Sequence, residues 1–453
     1  MIDIKTITNI YFIGIGGIGM SALARYFHAK GATVSGYDKT KTALTEQLNK
    51  EGISVHYEED VTSIPLNPDV VVYTPAISTN NKEFIYCKEN NFLLVKRSDV
   101  LQWITANSFN ICVSGTHGKT TTSTMIAHIL RHSGFGCNAF LGGIAANYGT
   151  NFWSSDNNVV VVEADEYDRS FLKLHPDLAI VTAVDADHLD IYGTAAAVEE
   201  AFVAFTHQVK NEGSLLYHAS IHCGNQLNKG VENFTYSLNN TQADVYATNI
   251  SVQQGAFHFS AQTPKGLIAD LQLHMGGMHN IENALAAIWV AKQLGIDNYK
   301  IQAAIASFKG VKRRFEMIVN TDKHSLIDDY AHHPAELNAL IEGVRTLFPN
   351  RKFVLVFQPH LFTRTRDFGN DFARVLQKAD QVILLPIYPA RELPIPGIDT
   401  TWLASKMPAE KTLLMNKEAL LQWVNVNQPE LIVTAGAGDI DQLVEPLKNI
   451  LTH

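Results

Sequence analysis

The sequence FNICVSGTHGKTT occupies residues 109–121 and is followed by a predicted helix over 123–131. Its first five residues, 109–113, are mostly apolar and predict a strand. A strand, a glycine-containing loop and a helix start form an anion site, because glycine lets backbone N–H groups turn inward and the helix N-terminus favours negative charge. Lys119 can then reach the outer phosphates of a nucleotide, and the Thr120 hydroxyl can bind Mg²⁺. The loop departs from the general phosphate-loop pattern at Val113, which stands where that pattern has its first glycine.

A second glycine turn, GIGGIG at 14–19, lies near the start of the chain. It separates a predicted strand over 9–13 from a predicted helix over 20–30, and it fits the G-x-G-x-x-G pattern of dinucleotide-binding folds. Asp38 follows about 20 residues later, where an acidic group accepts hydrogen bonds from a ribose or a base. On its own, the glycine turn is equally consistent with NAD binding. Its glycines could also serve only to let the helix pack closely on the strand, without binding any ligand.

Two acidic clusters follow predicted strands of the central segment. EADE at 163–166 follows the strand 159–162, and DADH at 185–188 follows the strand 178–181. In an open parallel sheet, ligands bind at the carboxyl ends of the strands, so these oxygen ligands and one imidazole are expected to converge on a metal beside the phosphates. For either cluster taken alone, the alternative is a capped loop.

Clusters of histidine and arginine end two predicted strands of the last segment. DDYAHHP at 328–334 follows the strand 325–327, and FQPHLFTRTR at 357–366 follows the strand 353–357. A guanidinium fork binds carboxylate or phosphoryl oxygens in a bidentate manner, so the clusters predict capture of one of these groups. Solvated surface charge is the alternative for any single residue. Arg313 and Arg314 are expected to reach a terminal phosphate across a domain junction.

Length and composition indicate a multidomain globular protein. The chain has 453 residues, of which 46% are hydrophobic and 18% are charged, so a few domains of ordinary size are expected. The predicted strands form three series, which place domains at 1–105, 106–315 and 316–453. Within the second, the stretch 213–273 alternates short apolar runs with turn residues and predicts an antiparallel or mixed patch of sheet.

Charge, hydropathy and cysteine spacing argue against several classes of protein. The net charge of −9 supplies no general basic field for nucleic acid. No apolar run approaches the roughly 20 residues of a membrane span, and the N-terminus carries charges where a signal peptide is apolar. A cytoplasmic protein without membrane or nucleic-acid partners is therefore expected. The cysteines lack C-x-x-C spacing, which argues against a disulfide framework or a structural zinc site; they are Cys87, Cys112, Cys137 and Cys223.

Taken together, the ordered motifs resemble those of the Mur ligase family of peptidoglycan synthesis. The resemblance spans nearly the whole chain and rests on GIGGIGMS at 14–21, GTHGKTTT at 115–122, EADE at 163–166, DADHLD at 185–190, HNIENALAA at 279–287, GVKRRFE at 310–316, DDYAHHP at 328–334 and FQPHLFTRTRDF at 357–368. It implies an α/β chain of three domains: an N-terminal Rossmann-like UDP-binding domain, a central P-loop ATPase-like domain, and a C-terminal Rossmann-like domain that brings an amino acid.

The resemblance also implies an activity. The motifs are most similar to those of family members that join L-alanine to the carboxylate of UDP-N-acetylmuramate through an acyl phosphate, using ATP and Mg²⁺. This implies a ligase of cytoplasmic peptidoglycan precursor synthesis, which serves cell-wall biogenesis, cell shape and cell division. The first glycine turn would then hold UDP rather than NAD.

Three other functions are compatible with some of these motifs. The first is the family's ligase that reattaches a recycled peptide to the same UDP-sugar. The second is a nucleotide-dependent switch without ligation, which leaves the carboxylate-binding groups of the last segment unexplained. The third is an NAD-dependent dehydrogenase, which leaves the phosphate loop unexplained.

Roles for individual residues follow from the same resemblance. The ATP-binding residues would be Gly115, Thr116, His117, Gly118, Lys119, Thr120, Thr121, Asn280, Asn283, Arg314 and Asp329. The metal would be held by Thr120, Glu163 and His188. UDP would be bound around Gly14, Gly16, Gly17, Gly19, Asp38 and Ser78, and alanine by Tyr330, His332, His360 and Arg364. The catalytic residues would be Lys119, His188, Arg314, His332, His360 and Arg364, with His332 or His360 as the base. No lysine occurs over 189–209, so the carbamylated lysine of some relatives is not expected here.

Overall fold

The computed structural model describes residues 4–167, 169–185, 189–253, 255–390 and 392–452, without the side chains of 189 and 190. The chain divides into two compact units. Unit 1 comprises 1–248, 260–271 and 282–305, and unit 2 comprises 249–259, 272–281 and 306–453. Among the described residues, no helix is long and apolar enough to cross a membrane.

The first sheet is built from the N-terminal segment of unit 1. All of its neighbouring strands are parallel, in the order β3-β2-β1-β4-β5. Both faces of β1 are buried, because Ile10 and Phe12 pack on one side and Tyr11 and Ile13 on the other, as expected for a parallel sheet covered by helices. The elements are β1 (Asn9–Ile13), α1 (Ile18–Ala29), β2 (Thr33–Tyr37), α2 (Ala43–Lys50), β3 (Ser54–His56), β4 (Val70–Tyr73), α3 (Lys82–Glu89), β5 (Leu94–Lys96) and α4 (Arg97–Thr105).

The second sheet has ten strands. Its order is β15-β14-β13-β12-β11-β10-β6-β9-β7-β8, and the strands from β13 to β7 in this order pair in parallel, whereas β7 and β8 are antiparallel. Its elements are β6 (Phe109–Ser114), α5 (Lys119–His132), β7 (Asn138–Ala145), β8 (Thr150–Trp153), β9 (Val159–Glu163), β10 (Leu178–Val181), α6 (Leu189–Tyr192), α7 (Ala195–Thr206), β11 (Ser214–His218), β12 (Glu232–Ser237), β13 (Val245–Gln253), β14 (Ala256–Thr263), β15 (Gly266–Leu273), α8 (Met278–Gln293) and α9 (Asn298–Ser307).

Helix α1 of the first sheet packs on β7 and β8 of the second. The contact includes Asn151, whose side-chain amide donates to the Ile18 carbonyl at 2.5 Å and whose amide oxygen accepts from Arg25. The first glycine turn and the phosphate loop are therefore held in one packed unit.

The third sheet lies in unit 2. Its order is β16-β17-β21-β18-β19-β20; β16 is antiparallel to β17 and the other pairs are parallel. The elements are β16 (Glu316–Asn320), β17 (Ser325–Asp329), α10 (Pro334–Leu347), β18 (Val354–Phe357), α11 (Phe362–Asp367), α12 (Gly369–Leu376), β19 (Gln381–Leu384), α13 (Thr400–Ala404), β20 (Thr412–Leu414), α14 (Lys417–Asn427), β21 (Leu431–Ala435) and α15 (Val444–Thr452).

The α/β fold class with three sheet-centred domains is confirmed, whereas the domain bounds 1–105, 106–315 and 316–453 stay predictions. The helix after the phosphate loop begins at Lys119 and not at Ser123 as the sequence predicted. The reason is Gly118, whose left-handed conformation lets the chain turn directly from the loop into the helix. As a result, the polar residues Lys119 to Thr122 form the first turn of α5.

Candidate active site

The phosphate loop spans residues 115–118, between the end of β6 and the start of α5. Gly115 and Gly118 have φ angles of +134° and +79°, which favour glycine. A Cβ atom on Gly118 would lie 2.7 Å from the Asn283 side-chain oxygen, and one on Gly115 would overlap the Thr182 hydroxyl. Both glycines are therefore required by conformation and by close packing, and the loop sits at the carboxyl edge of the parallel sheet, where ligands bind.

Lys119 is held by two oxygens. Its Nζ donates to Glu166 Oε1 and to the Gly115 carbonyl, both at 2.6 Å. An ammonium carries three N–H groups, so one donor remains beyond these two acceptors for an oxygen of a ligand. The Glu166 side chain is 1% exposed, which shields this ion pair from water. Sequence reasoning did not single out Glu166 for a role, although it ends the EADE motif.

Thr120 and Glu163 meet beside the loop. The Thr120 hydroxyl donates to Glu163 Oε1 and the Gly142 backbone N–H donates to Glu163 Oε2, both at 3.0 Å. A Cβ atom on Gly142 would overlap the carboxylate, so glycine is needed for this approach. In the described part of the chain, no three His, Cys, Asp or Glu residues form a group that could hold a metal ion. The predicted ligand His188 lies outside the described residues. The hydroxyl and carboxylate oxygens that are present fit the oxygen preference of Mg²⁺.

The rest of the loop is anchored by neighbouring strands. Thr116 exchanges hydrogen bonds with Asp185, and His117 Nε2 lies 3.6 Å from the Asp185 carboxylate. Of the predicted adenine contacts, Asn283 accepts from the Thr122 hydroxyl at 3.0 Å, which places it against the loop helix. Asn280 is 3% exposed, and its side-chain amide donates to the Gly276 carbonyl at 2.6 Å.

The first glycine turn is braced by Asp38. The Gly16 N–H donates to Asp38 Oδ2 at 2.8 Å, and the Thr40 N–H donates to Oδ1 at 3.0 Å. Gly14 has a φ angle of +89°, and a Cβ atom there would lie 2.6 Å from the Thr74 methyl group. Asp38 thus shapes the turn itself, and each of its oxygens retains a second lone pair for a ligand. Ser78 is exposed and accepts a hydrogen bond from the Asn80 N–H.

Within unit 1, a cleft of about 120 Å³ extends from the first glycine turn to Glu163, the predicted metal ligand. Ile18 and Gly19 line one side, and Gly142 and Glu163 line the other. Arg97, which sequence reasoning missed, also lines the cleft; its guanidinium lies against Gly19 and 3.6 Å from Asp165. A ligand that is bound at the glycine turn can therefore extend to Glu163 past a positive charge.

The predicted alanine-site residues come together at the carboxyl edge of the third sheet. The rings of Tyr330 and His332 are 5.3 Å apart, those of His332 and His360 are 6.0 Å apart, and Arg364 Nη1 lies 3.4 Å from His360 Nδ1. Burial lowers the pKa of His360, and the nearby charges of Arg364 and His332 lower it further. The neutral form of His360 is thus favoured, which suits a proton acceptor. No carboxylate of the described residues forms an ion pair with Arg364.

Arg313 is engaged inside unit 2. It donates to the Gly436 carbonyl at 2.5 Å, lies 3.3 Å from Asp328, and stacks on the Tyr330 ring at 5.0 Å. The Arg313 guanidinium therefore helps to hold the Tyr330 ring in place. Asp329 accepts from the N–H groups of Phe315 and Ala331, and desolvation raises its pKa to about 6, although the Arg314 charge opposes this.

The buried carboxyl of Asp328 predicts a dependence of stability on pH. Desolvation raises its pKa from 3.8 to about 7, against the lowering effects of the Thr434 hydrogen bond and of Arg313. A carboxyl whose pKa is higher in the folded state stabilises the fold below its unfolded pKa, and this contribution is lost as the pH rises through the folded value. We expect the melting temperature to fall between about pH 4 and pH 7, and Asp328→Asn to reduce that fall. Thermal melts across this range test it, with the exposed Asp322→Asn as control; an Asp328→Asn curve as steep as that of the wild type would contradict it.

Comparison with protein families matches three models to successive parts of the chain. They are "Mur ligase family, catalytic domain" at residues 9–109, "Mur ligase middle domain" at 113–291, and "Mur ligase, glutamate ligase domain" at 313–438.

Comparison with curated proteins finds relatives that match over the full length. The UDP-N-acetylmuramate–L-alanine ligase of Flavobacterium johnsoniae is 46% identical over 455 aligned residues, with 100% of this chain and 99% of the relative covered. The enzyme of the same name from Parabacteroides distasonis is 48% identical, with 99% and 98% covered.

Among solved structures, the UDP-N-acetylmuramate–alanine ligase of Thermotoga maritima has a TM-score of 0.83 and 27% identity, with 97% of this chain and 98% of that chain covered. A murein peptide ligase of Psychrobacter arcticus has a TM-score of 0.65 and 21% identity, with 98% of each chain covered, and supports the fold alone.

Proposed function

This chain belongs to the Mur ligase family, and we propose that it joins L-alanine to the carboxylate of UDP-N-acetylmuramate with the hydrolysis of ATP to ADP and phosphate. The reaction builds a precursor of peptidoglycan in the cytoplasm. The observation that carries the proposal is the cleft of unit 1, because it links the glycine turn to Glu163 and Thr120 beside the phosphate loop. One packed unit thus offers a nucleotide-sugar site and an ATP site that meet at the reacting carboxylate.

The first step is phosphoryl transfer. A carboxylate is a poor acyl donor, so it attacks the terminal phosphorus of ATP, the bond to the bridging oxygen breaks, and an acyl phosphate and ADP result. The chain's part is to position the two substrates and to neutralise charge. Lys119, with one donor left over from Glu166 and Gly115, binds the transferring group. The family resemblance assigns Arg314 to the same phosphate. Thr120 and Glu163, together with the predicted ligand His188, would hold Mg²⁺, which would neutralise phosphate charge when bound.

The second step is attack by the amine of L-alanine. The amine nitrogen bonds to the acyl carbon, and phosphate leaves the tetrahedral intermediate. The ammonium must first lose its proton, and either His332 or His360 takes it. The lowered pKa of His360 favours that residue for the role. Arg364 binds the alanine carboxylate, because its guanidinium is not paired with a carboxylate of the described residues.

The family's peptide-recycling ligase is the second candidate. The murein peptide ligase of Psychrobacter arcticus is 21% identical to this chain, whereas the full-length relatives at 46% and 48% are L-alanine ligases. The comparisons therefore favour alanine as the amine substrate.

Arg364→Ala separates amino-acid ligation from ATP binding. Loss of a charged hydrogen bond in a partly desolvated site costs about 1.5–3 kcal/mol, which corresponds to roughly ten- to hundredfold in apparent affinity. We expect this loss as a raised KM for L-alanine, with a KM for ATP that changes little. Steady-state kinetics with each substrate varied in turn measure both values.

The exposed Arg374, which is paired with Asp371 on α12, supplies the matched control. Arg374→Ala should leave both KM values unchanged. A weakened ATP affinity with an unchanged KM for alanine in Arg364→Ala would contradict the assignment of the third sheet to the amino acid.

A further inference from the structure

A buried hydrogen-bond network lies under the first sheet and takes no part in the chemistry described so far. Glu83 of α3 is 0% exposed. Its Oε2 accepts from the Tyr11 hydroxyl at 2.6 Å, and its Oε1 accepts from the Asp60 N–H at 2.9 Å and contacts His56 Nε2 at 2.8 Å. A buried carboxylate with this many partners fixes the ring that it holds.

The network determines which nitrogen of His56 carries the proton. The Tyr11 hydroxyl and the Asp60 N–H make both oxygens of Glu83 acceptors. The imidazole nitrogen that faces Oε1 must therefore be the donor, so Nε2 is protonated. In the neutral ring, Nδ1 is then a hydrogen-bond acceptor, and no described residue bonds to it.

His56 remains accessible to a ligand. Its side chain is 25% exposed, whereas Glu83 behind it is fully buried. The ring stacks on Tyr11, with centroids 6.2 Å apart, and lies 5.7 Å from the Tyr37 ring. The imidazole is thus fixed through Nε2 while a quarter of the side chain stays exposed.

The strand order places the glycine turn, Asp38 and His56 side by side at the carboxyl edge of the first sheet, with His56 farthest from the glycine turn. β1, β2 and β3 are neighbours in that order, and their carboxyl ends carry the glycine turn, Asp38 and His56. In folds of this kind the glycine turn binds the diphosphate, and the acidic residue at the end of the next strand binds the ribose. Neighbouring strands lie about 4.8 Å apart, so the base of the nucleotide extends over the end of β3. The backbone supports this arrangement, because the Asp38 N–H donates to the His56 carbonyl at 3.0 Å.

We propose that His56, held by Glu83, is the residue that selects uracil in the nucleotide-sugar substrate. Its Nδ1 accepts the N3–H of uracil. Cytosine presents a lone pair at N3, which repels this acceptor, and a methyl group at N3 blocks it. The inference rests on the proposed function, because it assumes that UDP is bound at the glycine turn.

Wild-type protein tests the inference without any substitution. Affinities for UDP, CDP and 3-methyl-UDP are measured by calorimetry at pH 8.5, where free imidazole is neutral. We expect UDP to bind at least about tenfold more tightly than either analogue, as a buried hydrogen bond and its mismatch require. Equal affinities for UDP and 3-methyl-UDP would overturn the inference but leave the proposed function standing. Absence of any UDP binding would instead overturn the proposed function.

A substitution then assigns the selectivity to one side chain. His56→Phe keeps a ring against Tyr11 but has no acceptor. We expect the preference for UDP over CDP to shrink toward one and the KM for UDP-N-acetylmuramate to rise about tenfold, with unchanged KM values for ATP and L-alanine. The exposed His28→Phe, on the same domain at the far end of α1, is the control and should keep the wild-type preference. A folded His56→Phe protein with the wild-type ratio of UDP to CDP affinity would also overturn the inference.

Discussion

Lys119→Ala should lower the rate of ligation by at least about 10³-fold, because the role that we propose for the lysine is to neutralise charge on the phosphoryl group as it is transferred. The fold should survive, since the lysine is the first residue of a helix whose next eleven residues, 120–130, are buried. The substitution does leave Glu166 buried without its cation, so a modest fall in melting temperature is expected. Initial rates of ADP formation measure the loss of turnover, and the affinity for an ATP analogue measures any loss of nucleotide binding.

Lys210 provides the matched control for Lys119. It is also an ion-paired lysine beside the second sheet, 2.7 Å from Asp177, but it lies near the amino ends of the strands. Lys210→Ala should keep normal turnover. Its melting temperature shows how much stability is lost when such an ion pair is removed. Turnover close to the wild-type value in Lys119→Ala would show that the phosphate loop has been assigned wrongly.

Glu163→Gln should lower turnover by at least about 100-fold, because we propose that this carboxylate binds Mg²⁺ and the substitution removes its charge. The amide oxygen can still accept from the Gly142 N–H while its NH₂ group donates to the Thr120 hydroxyl, so both hydrogen bonds are kept and the substitution removes the negative charge. We expect the Mg²⁺ concentration for half-maximal rate to rise. Mg²⁺ titrations of activity and of thermal stabilisation by ADP measure this shift.

The control for this change is Glu200→Gln on the exposed face of α7. It should leave the Mg²⁺ requirement unchanged. If Glu163→Gln had the wild-type Mg²⁺ requirement in both titrations, Glu163 would not be a metal ligand.

Much of the fold could be predicted from local sequence. The strands β1 and β10 have the predicted bounds, because short apolar runs bounded by turn residues are unambiguous when both faces are buried. The stretch 213–273 does form mixed sheet: β11 and β12 run parallel, and β14 and β15 follow as neighbours through connections too short for a parallel crossover.

Parts of the site could not be predicted, because they depend on packing between distant segments. Arg97 reaches the cleft because α1 docks on β7 and β8, a contact that no motif encodes. Glu166 stands in a motif, but its role depends on burial next to Lys119, 47 residues away in sequence. Asp38 was expected to meet a ligand, and the structure shows that it also braces the glycine turn.

The amine substrate of this chain can be identified from the release of phosphate. Phosphate release is followed with ATP, Mg²⁺ and UDP-N-acetylmuramate in the presence of each of the twenty amino acids and, separately, of the murein tripeptide. We expect release that depends on the UDP-sugar and is fastest with L-alanine. Release with the tripeptide and none with L-alanine, or release that is independent of the UDP-sugar, would contradict it.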